Sequence, residues 1–459
     1  MKKIGITLLS FMIIIINLQA QELPLLKVSG DNHYLITENN EPFFWLGGTA
    51  WEMLHRLNLE ETEFYLSDRA NKGFTVIQTV ILAELDGLKT PNAYGEIPLM
   101  DLDPTKLNEK YFEHIDKVVR QAEALGLYLG LLPTWGDKFL KKWGIGPEIF
   151  TPENAEIFGE LIAARYLDNP NIIWILGGDR VPENNLQYEI IRAMAKGIKT
   201  VDKKHLISYH PWGSVKATDI FNEKWLDFDM FQTVHDRQTK DYEFVRASKA
   251  MIPERPVING EPRYENIPVG LSNDPMVNGW MDDSDIRTSA YWTMLSGAAG
   301  YTYGCNDIWQ MYSIGRLPVI QARTGWREAL KLPGSTQLTY MKQLLISFPW
   351  FEMRNDQTLI LNDNPGGATH IVCSIGKNHD FILAYTPMGK PIKVDLSAMS
   401  AQKVNAFWYN PRSGESIKIG EYKVSETPEF IPWSVGRGSD MVLIVTDTNS
   451  LYKIPGLGK

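Results

Sequence analysis

The chain has 459 residues, 44% of them hydrophobic and 22% charged, with 36 Gly and 26 Pro. That composition excludes a disordered, collagen-like or low-complexity protein, and the length allows two or three domains around a large core. Lys and Arg total 46 against 55 Asp and Glu, a net charge of −9 with no basic run, which argues against nucleic acid as a partner, and two cysteines cannot build a disulfide scaffold or a Cys-rich zinc site.

Lys2 and Lys3 precede an apolar run from Ile4 to Ile16, which gives way to Leu18-Gln19-Ala20. A basic head, about a dozen apolar residues and a small residue at the end form a secretory signal peptide over residues 1–20. The run falls short of the roughly 20 residues that a membrane-spanning helix needs. The expectation is an exported protein, periplasmic or extracellular, with no membrane association once the signal is removed.

From 21 to 350, short apolar runs alternate with amphipathic stretches. The runs are Phe43–Gly47, Thr75–Leu82, Leu127–Leu132, Ile172–Leu176, Leu206–Tyr209, Met230–Val234, Val257–Ile258 and Ala298–Tyr303. Helices are predicted over Glu60–Asn71, Glu109–Leu125, Glu153–Leu167, Leu186–Val201, Tyr242–Ala250 and Ile286–Leu295. Asn58 with Glu61 makes a capping-box pair, and Pro152-Glu153 opens a helix. Eight β-rich runs separated by helices predict an α/β fold, a (β/α)8 TIM barrel. A doubly wound sheet is the alternative, and no glycine-rich phosphate turn follows the first run to support it.

The runs end in Trp51-Glu52, Glu84 and Asp86, Trp135-Gly136-Asp137, Gly177-Gly178-Asp179-Arg180, His210-Pro211-Trp212, His235-Asp236-Arg237, Asn259-Gly260-Glu261 and Asn306-Asp307. Barrel enzymes assemble their sites at this C-terminal end of the strands. Carboxylates, imidazoles and indoles gathered there suit sugar chemistry. Beyond Pro349, short runs such as Phe381–Tyr385, Val404–Tyr409 and Met441–Val445, with Thr358–Leu361, His370–Ile375 and Ile392–Leu396, alternate with turn clusters. They predict an all-β sandwich over 351–459, more structural than ligand-binding in role.

The sequence carries no G-x-S-x-G elbow, no H-E-x-x-H and no phosphate loop, and its eight His have no metal-ligand spacing, so no metal and no cofactor is expected. Cys305 and Cys373 are left open between a disulfide and two free thiols. Carboxylates remain. Glycoside hydrolysis needs one carboxyl to protonate the leaving oxygen and a second to attack the sugar or activate water. Glu52, Glu84, Asp86, Asp137, Asp179, Asp236, Glu261 and Asp307 all stand at strand ends, and Asp179 and Glu261 each follow glycine, which is read as leaving open space beside them.

Trp174-Ile175-Leu176-Gly177-Gly178-Asp179-Arg180, Asn259-Gly260-Glu261-Pro262, Tyr303-Gly304 with Ile308-Trp309-Gln310, and Ala83-Glu84-Leu85-Asp86-Gly87 with Pro91-Asn92-Ala93-Tyr94-Gly95 resemble glycoside hydrolase family 140. That family contains bacterial apiosidases acting on side chains of the pectin rhamnogalacturonan II. Trp408-Tyr409-Asn410-Pro411-Arg412-Ser413-Gly414 resembles the collagen-binding type of β-sandwich, a label given little weight as a function.

The resemblance implies Asp179 as general acid/base and Glu261 as nucleophile of a retaining enzyme acting on a plant cell-wall oligosaccharide. Trp135, Trp212 and Trp280 are then expected to face sugar rings, and His210, His235 and Gln78 to bind hydroxyls. Arg180, Arg263 and Lys138 are expected to meet galacturonate carboxylates, Glu84 to line the site and Asn306 to bear on substrate preference. The alternatives are an endo-glycosidase of the same barrel type on another polysaccharide, or a non-catalytic carbohydrate- or matrix-binding protein. Exo or endo action and oligomeric state stay open.

Overall fold

The computed structural model describes residues 23–458; the expected signal peptide over 1–20 lies outside the described residues. The barrel strands are Trp45–Thr49, Val76–Leu82, Tyr128–Thr134, Ile172–Gly177, Ile207–His210, Asp229–Gln232, Val257–Glu261 and Gly300–Cys305, hereafter the first to the eighth. Seven of the neighbouring pairs around the ring are parallel ladders. The fifth and sixth strands close the ring without a ladder: Asp227 N–H donates to the Ile207 carbonyl at 2.9 Å and Ser208 Oγ to the Phe228 carbonyl at 2.7 Å. The predicted TIM barrel is therefore present, and each of the eight apolar runs overlaps a strand.

The helices form for the reasons written in the sequence. Asn58 and Glu61 make the reciprocal capping box of helix Leu59–Asn71, and Thr151 caps helix Pro152–Tyr166 with Pro152 in its first turn. Two elements were not anticipated. Helix Pro333–Ile346 closes the outer ring after the eighth strand, and the fifth strand is followed only by the single turn Ala217–Ile220. An antiparallel sheet of Leu26–Val28, Leu35–Thr37 and Pro42–Phe43 precedes the barrel. Its Leu26, Leu35 and Phe43 join Trp45, Val76, Val80, Tyr128 and Met230 in the barrel's inner core. The N-terminal end of the barrel is thereby plugged, which leaves the C-terminal end for a ligand.

The second domain is one six-stranded antiparallel sheet, faced by a two-stranded ribbon of Ile392–Lys393 and Glu429–Phe430. Its apolar runs look continuous because both faces are buried. Phe381, Leu383 and Tyr385 share a core with the barrel's Tyr291 and Trp292, whereas Ile382 and Ala384 pack on the ribbon side with Ile392 and Phe430. Thr358–Leu361 is not a strand: Gln357–Leu359 is a 3-10 turn capped by Asp356. Cys305 and Cys373 are both free, buried thiols.

Candidate active site

At the end of the fourth strand Gly177, Gly178 and Asp179 all have positive φ, at 93°, 97° and 60°. A Cβ on Gly177 would stand 2.5 Å from the His210 carbonyl oxygen, and one on Gly178 2.8 Å from the Gly136 nitrogen. The two glycines therefore leave no open space at their own positions, because the backbone of the fifth strand and of the loop after the third fills it. The same holds at Gly260, where a Cβ would meet Met230 Sδ at 2.4 Å. These glycines admit close backbone approach and a left-handed turn that swings Asp179 inward.

That turn sets the Asp179 backbone and the Glu261 carboxyl on opposite sides of one imidazole. The Asp179 N–H donates to His210 Nδ1 at 3.3 Å. On the other side of the ring, His210 Nε2 lies 2.9 Å from Glu261 Oε2. His235 Nε2 stands 3.7 Å from Glu261 Oε1. The Tyr264 hydroxyl accepts the Trp51 indole N–H at 3.2 Å and itself hydrogen-bonds Glu261.

The two carboxyls are driven apart electrostatically. Burial by itself would raise the Glu261 pKa, but the His210 contact, with His235 and Tyr264 adding to it, holds the group below its ordinary value. Asp179 is pushed well above its ordinary value, first by burial and then by the charges of Glu261 and Glu84, against the weaker opposing pull of Arg180 and Gln232. Burial, with Asp137 and Glu52 nearby, lifts Glu84 to about 8. The pKa of one carboxyl is thus raised and that of the other lowered within one cleft, a divergence that suits glycosidic cleavage.

Asp179, Glu261 and Glu84 line a cleft of about 620 Å³ with Trp51, Trp135, Gln232, His235, Asp236, Tyr264 and Trp309. Trp143 and Trp212 form its mouth, half-exposed, with ring centroids 4.2 Å apart. Asp179, Glu261, Glu84, Trp135, Trp212 and His235 are thus brought together as expected, and His210 is buried behind Glu261.

Six expected residues do not face the cleft. Gln78 lies inside the barrel and donates to the Gly260 carbonyl at 2.8 Å, bracing the strand end that carries Glu261. Lys138 is buried against Asp137 at 2.6 Å and the Ala83 carbonyl at 2.9 Å. Arg180 spends its guanidinium on the carbonyls of Leu140, Lys141 and Asp179 and lies 4.0 Å from the Trp143 ring centroid. Arg263 is buried and reaches Asp241 at 3.3 Å and the Thr239 carbonyl at 2.6 Å. Trp280 stacks on Arg323 at 3.7 Å. Asn306 donates to the Ile320 carbonyl at 2.8 Å and so ties down the loop bearing Val319 and Ile320, two cleft-wall residues. The three cations were misassigned for one physical reason: a buried guanidinium or ammonium must satisfy its donors, and carbonyls and carboxylates of the fold already do so.

Trp143, Gln232 and Tyr264 are site residues that the sequence did not single out. Tyr264, three residues beyond Glu261, had a local signal; Trp143 lies in the loop after the third strand, whose path only the fold decides. Glu52, Asp137 and Asp307 are buried in structural pairs with His55, Lys138 and Asn266. Asp86 turns away to accept from Thr90. Among the described residues no group of three His, Cys, Asp or Glu is arranged to hold a metal ion.

The family described as "Apiosidase-like, catalytic domain" matches residues 29–352, and the one described as "Putative collagen-binding domain of a collagenase" matches 355–446. A solved structure described as a glycoside hydrolase is 35% identical, with 94% of this chain and 98% of that one covered and a TM-score of 0.86. A family 5 glycoside hydrolase from Bacteroides vulgatus is also 35% identical, covering 94% and 96% of the two chains at a TM-score of 0.86. A family 39 glycoside hydrolase from Bacteroides cellulosilyticus shares the fold at 13% identity, covering 87% and 80% with a TM-score of 0.52. No curated protein matches the chain.

Proposed function

The chain belongs to the family of apiosidase-like catalytic domains and is a glycoside hydrolase, and from that premise we propose that it is an exported, retaining enzyme cleaving apiose-containing linkages in pectin side chains. Asp179 serves as general acid and then base, and Glu261 as nucleophile. One observation carries the assignment: Asp179 and Glu261 line a single cleft, where burial and neighbouring charge raise the pKa of the first while His210, 2.9 Å away, lowers that of the second. Asp179 donates its proton to the glycosidic oxygen as Glu261 attacks the anomeric carbon. Asp179, now ionised, takes a proton from the water that releases the sugar, which restores both groups.

The test is product analysis on rhamnogalacturonan II oligosaccharides. Release of an apiose-ended fragment by the wild type, and its absence with folded Asp179→Ala and Glu261→Ala, supports substrate and pair together. Turnover confined to another glycan removes the apiose assignment and leaves the pair standing.

The active form has Glu261 ionised and Asp179 protonated, so kcat/KM rises as pH climbs through the lowered Glu261 pKa and falls as pH climbs through the raised Asp179 pKa. The pH–rate profile is therefore expected to be a bell. His210→Ala removes the strongest influence holding Glu261 down, so its acid limb moves to higher pH. At the mouth, Trp143→Ala or Trp212→Ala is expected to raise KM about fivefold to tenfold with a smaller change in kcat, because an indole face against a sugar ring contributes about 1 kcal/mol. Steady-state kinetics on one oligosaccharide checks both expectations.

A further inference from the structure

We propose that Glu84 contacts substrate as a hydrogen-bond donor, its carboxyl group reaching a sugar hydroxyl beside Asp179. The inference deepens the proposed function and rests on it only for the position of the substrate in the cleft.

The argument starts from what surrounds Glu84. It follows the second barrel strand and lines the cleft together with Asp179 and Glu261. Each charged neighbour is already satisfied by something else. Asp137 binds Lys138 at 2.6 Å and accepts the Gly146 N–H at 2.8 Å. Glu52 accepts the Leu85 N–H at 2.9 Å and holds His55 at 2.7 Å. Lys138 is occupied by Asp137 and the Ala83 carbonyl, and Arg180 by three backbone carbonyls. Among the described residues the Glu84 carboxyl has no hydrogen-bond or ion-pair partner, although it is half-buried in the cleft wall. A half-buried polar group left unpaired inside a binding cleft points to a partner on the ligand.

The charge balance of the cleft says which kind of partner. Among the described residues four carboxyl groups line it, Glu84, Asp179, Asp236 and Glu261, and no Lys or Arg does. Ionised carboxylates only accept hydrogen bonds, so a hydroxyl oxygen next to them needs a donor. Burial and the charges of Asp137 and Glu52 raise Glu84 to about 8, above the opposing effect of Arg180 and Lys138, so it keeps its proton near neutrality. It then donates to the sugar without adding a second full negative charge beside Glu261.

Two measurements decide the matter. Carboxyl ¹³C NMR of the intact protein, with Glu84→Gln to identify the signal, is expected to show a midpoint near 8; a midpoint near 4, the ordinary carboxylate value, overturns the inference whatever the enzyme cleaves. In kinetics, Glu84→Ala is expected to raise KM about tenfold at pH 6.5, and Glu84→Gln, which keeps a donor, to recover most of that loss. Wild-type KM should rise above pH 8 while that of Glu84→Gln stays flat. Equal KM values for the Ala and Gln variants, or parallel pH dependence of KM in wild type and Gln, overturn the proposal. If Asp179 and Glu261 variants keep their activity, the catalytic pair falls instead, and the Glu84 comparison is still read on whichever glycoside is cleaved.

Discussion

Replacing Glu261 by Gln is expected to lower kcat/KM by about four orders of magnitude, and Asp179→Ala by about a hundredfold to ten-thousandfold. The two losses differ in kind. On the proposed mechanism no covalent glycosyl-enzyme forms without Glu261, so every substrate is affected alike. Without Asp179 the bond can still break when the leaving group needs no proton, so an activated aryl glycoside should suffer less in the first step than a natural linkage. Neither carboxyl carries the fold: Asp179 has one ion pair, at 3.8 Å from Arg180, and Glu261 touches imidazoles and a tyrosine rather than buried cations. Both variants should therefore keep the wild-type unfolding midpoint. Retention of activity within tenfold in Glu261→Gln would remove it as nucleophile.

Arg287→Ala is expected to destabilise the protein by about 3–5 kcal/mol, because it strands a buried carboxylate. Arg287, on barrel helix Asp283–Leu295, forms a two-pronged pair with Asp440 of the second domain at 2.8 Å and 2.8 Å, and it also reaches Asp283 and Gln337 at 2.6 Å each. Tyr385 adds a hydrogen bond to Asp440 at 3.1 Å, and its ring stacks on Tyr291 with centroids 4.7 Å apart. Trp292 donates to the His370 carbonyl at 2.9 Å. Arg287 and Asp440 are both almost wholly buried, so solvent screens little of this. Denaturant unfolding followed by tryptophan fluorescence should give one transition in the wild type and a lower, broadened or split one in the variant. A loss under about 1 kcal/mol would mean that the domains are stabilised independently. The shared core of Tyr291, Trp292, Phe381 and Tyr385 argues the reverse.

By itself the sequence determined the period of the fold and the identity of the chemistry. Eight apolar runs between amphipathic stretches dictate parallel strands covered on both faces, since only that arrangement buries such runs and pairs their backbones. Capping pairs such as Asn58 with Glu61 are local, so they could be read directly. Asp179 and Glu261 were legible as two of eight strand-end carboxyls, since in a barrel every strand end points at one face, and the resemblance to a known family singled them out. Helix Pro333–Ile346 had a local signal that went unused, the opening proline with Leu338, Met341 and Leu345 on one side. What only the tertiary structure decided was which polar side chains still had bonds to give. Lys138, Arg180, Arg263 and Asn306 look like ligand-binding groups along the chain, yet carbonyls and carboxylates from distant segments consume them. Glu84 looks like its neighbours Glu52 and Asp86, yet it is the one that the fold leaves unpaired in the cleft. Hydrogen-bond satisfaction depends on contacts far apart in sequence, whereas strand periodicity depends on residues side by side.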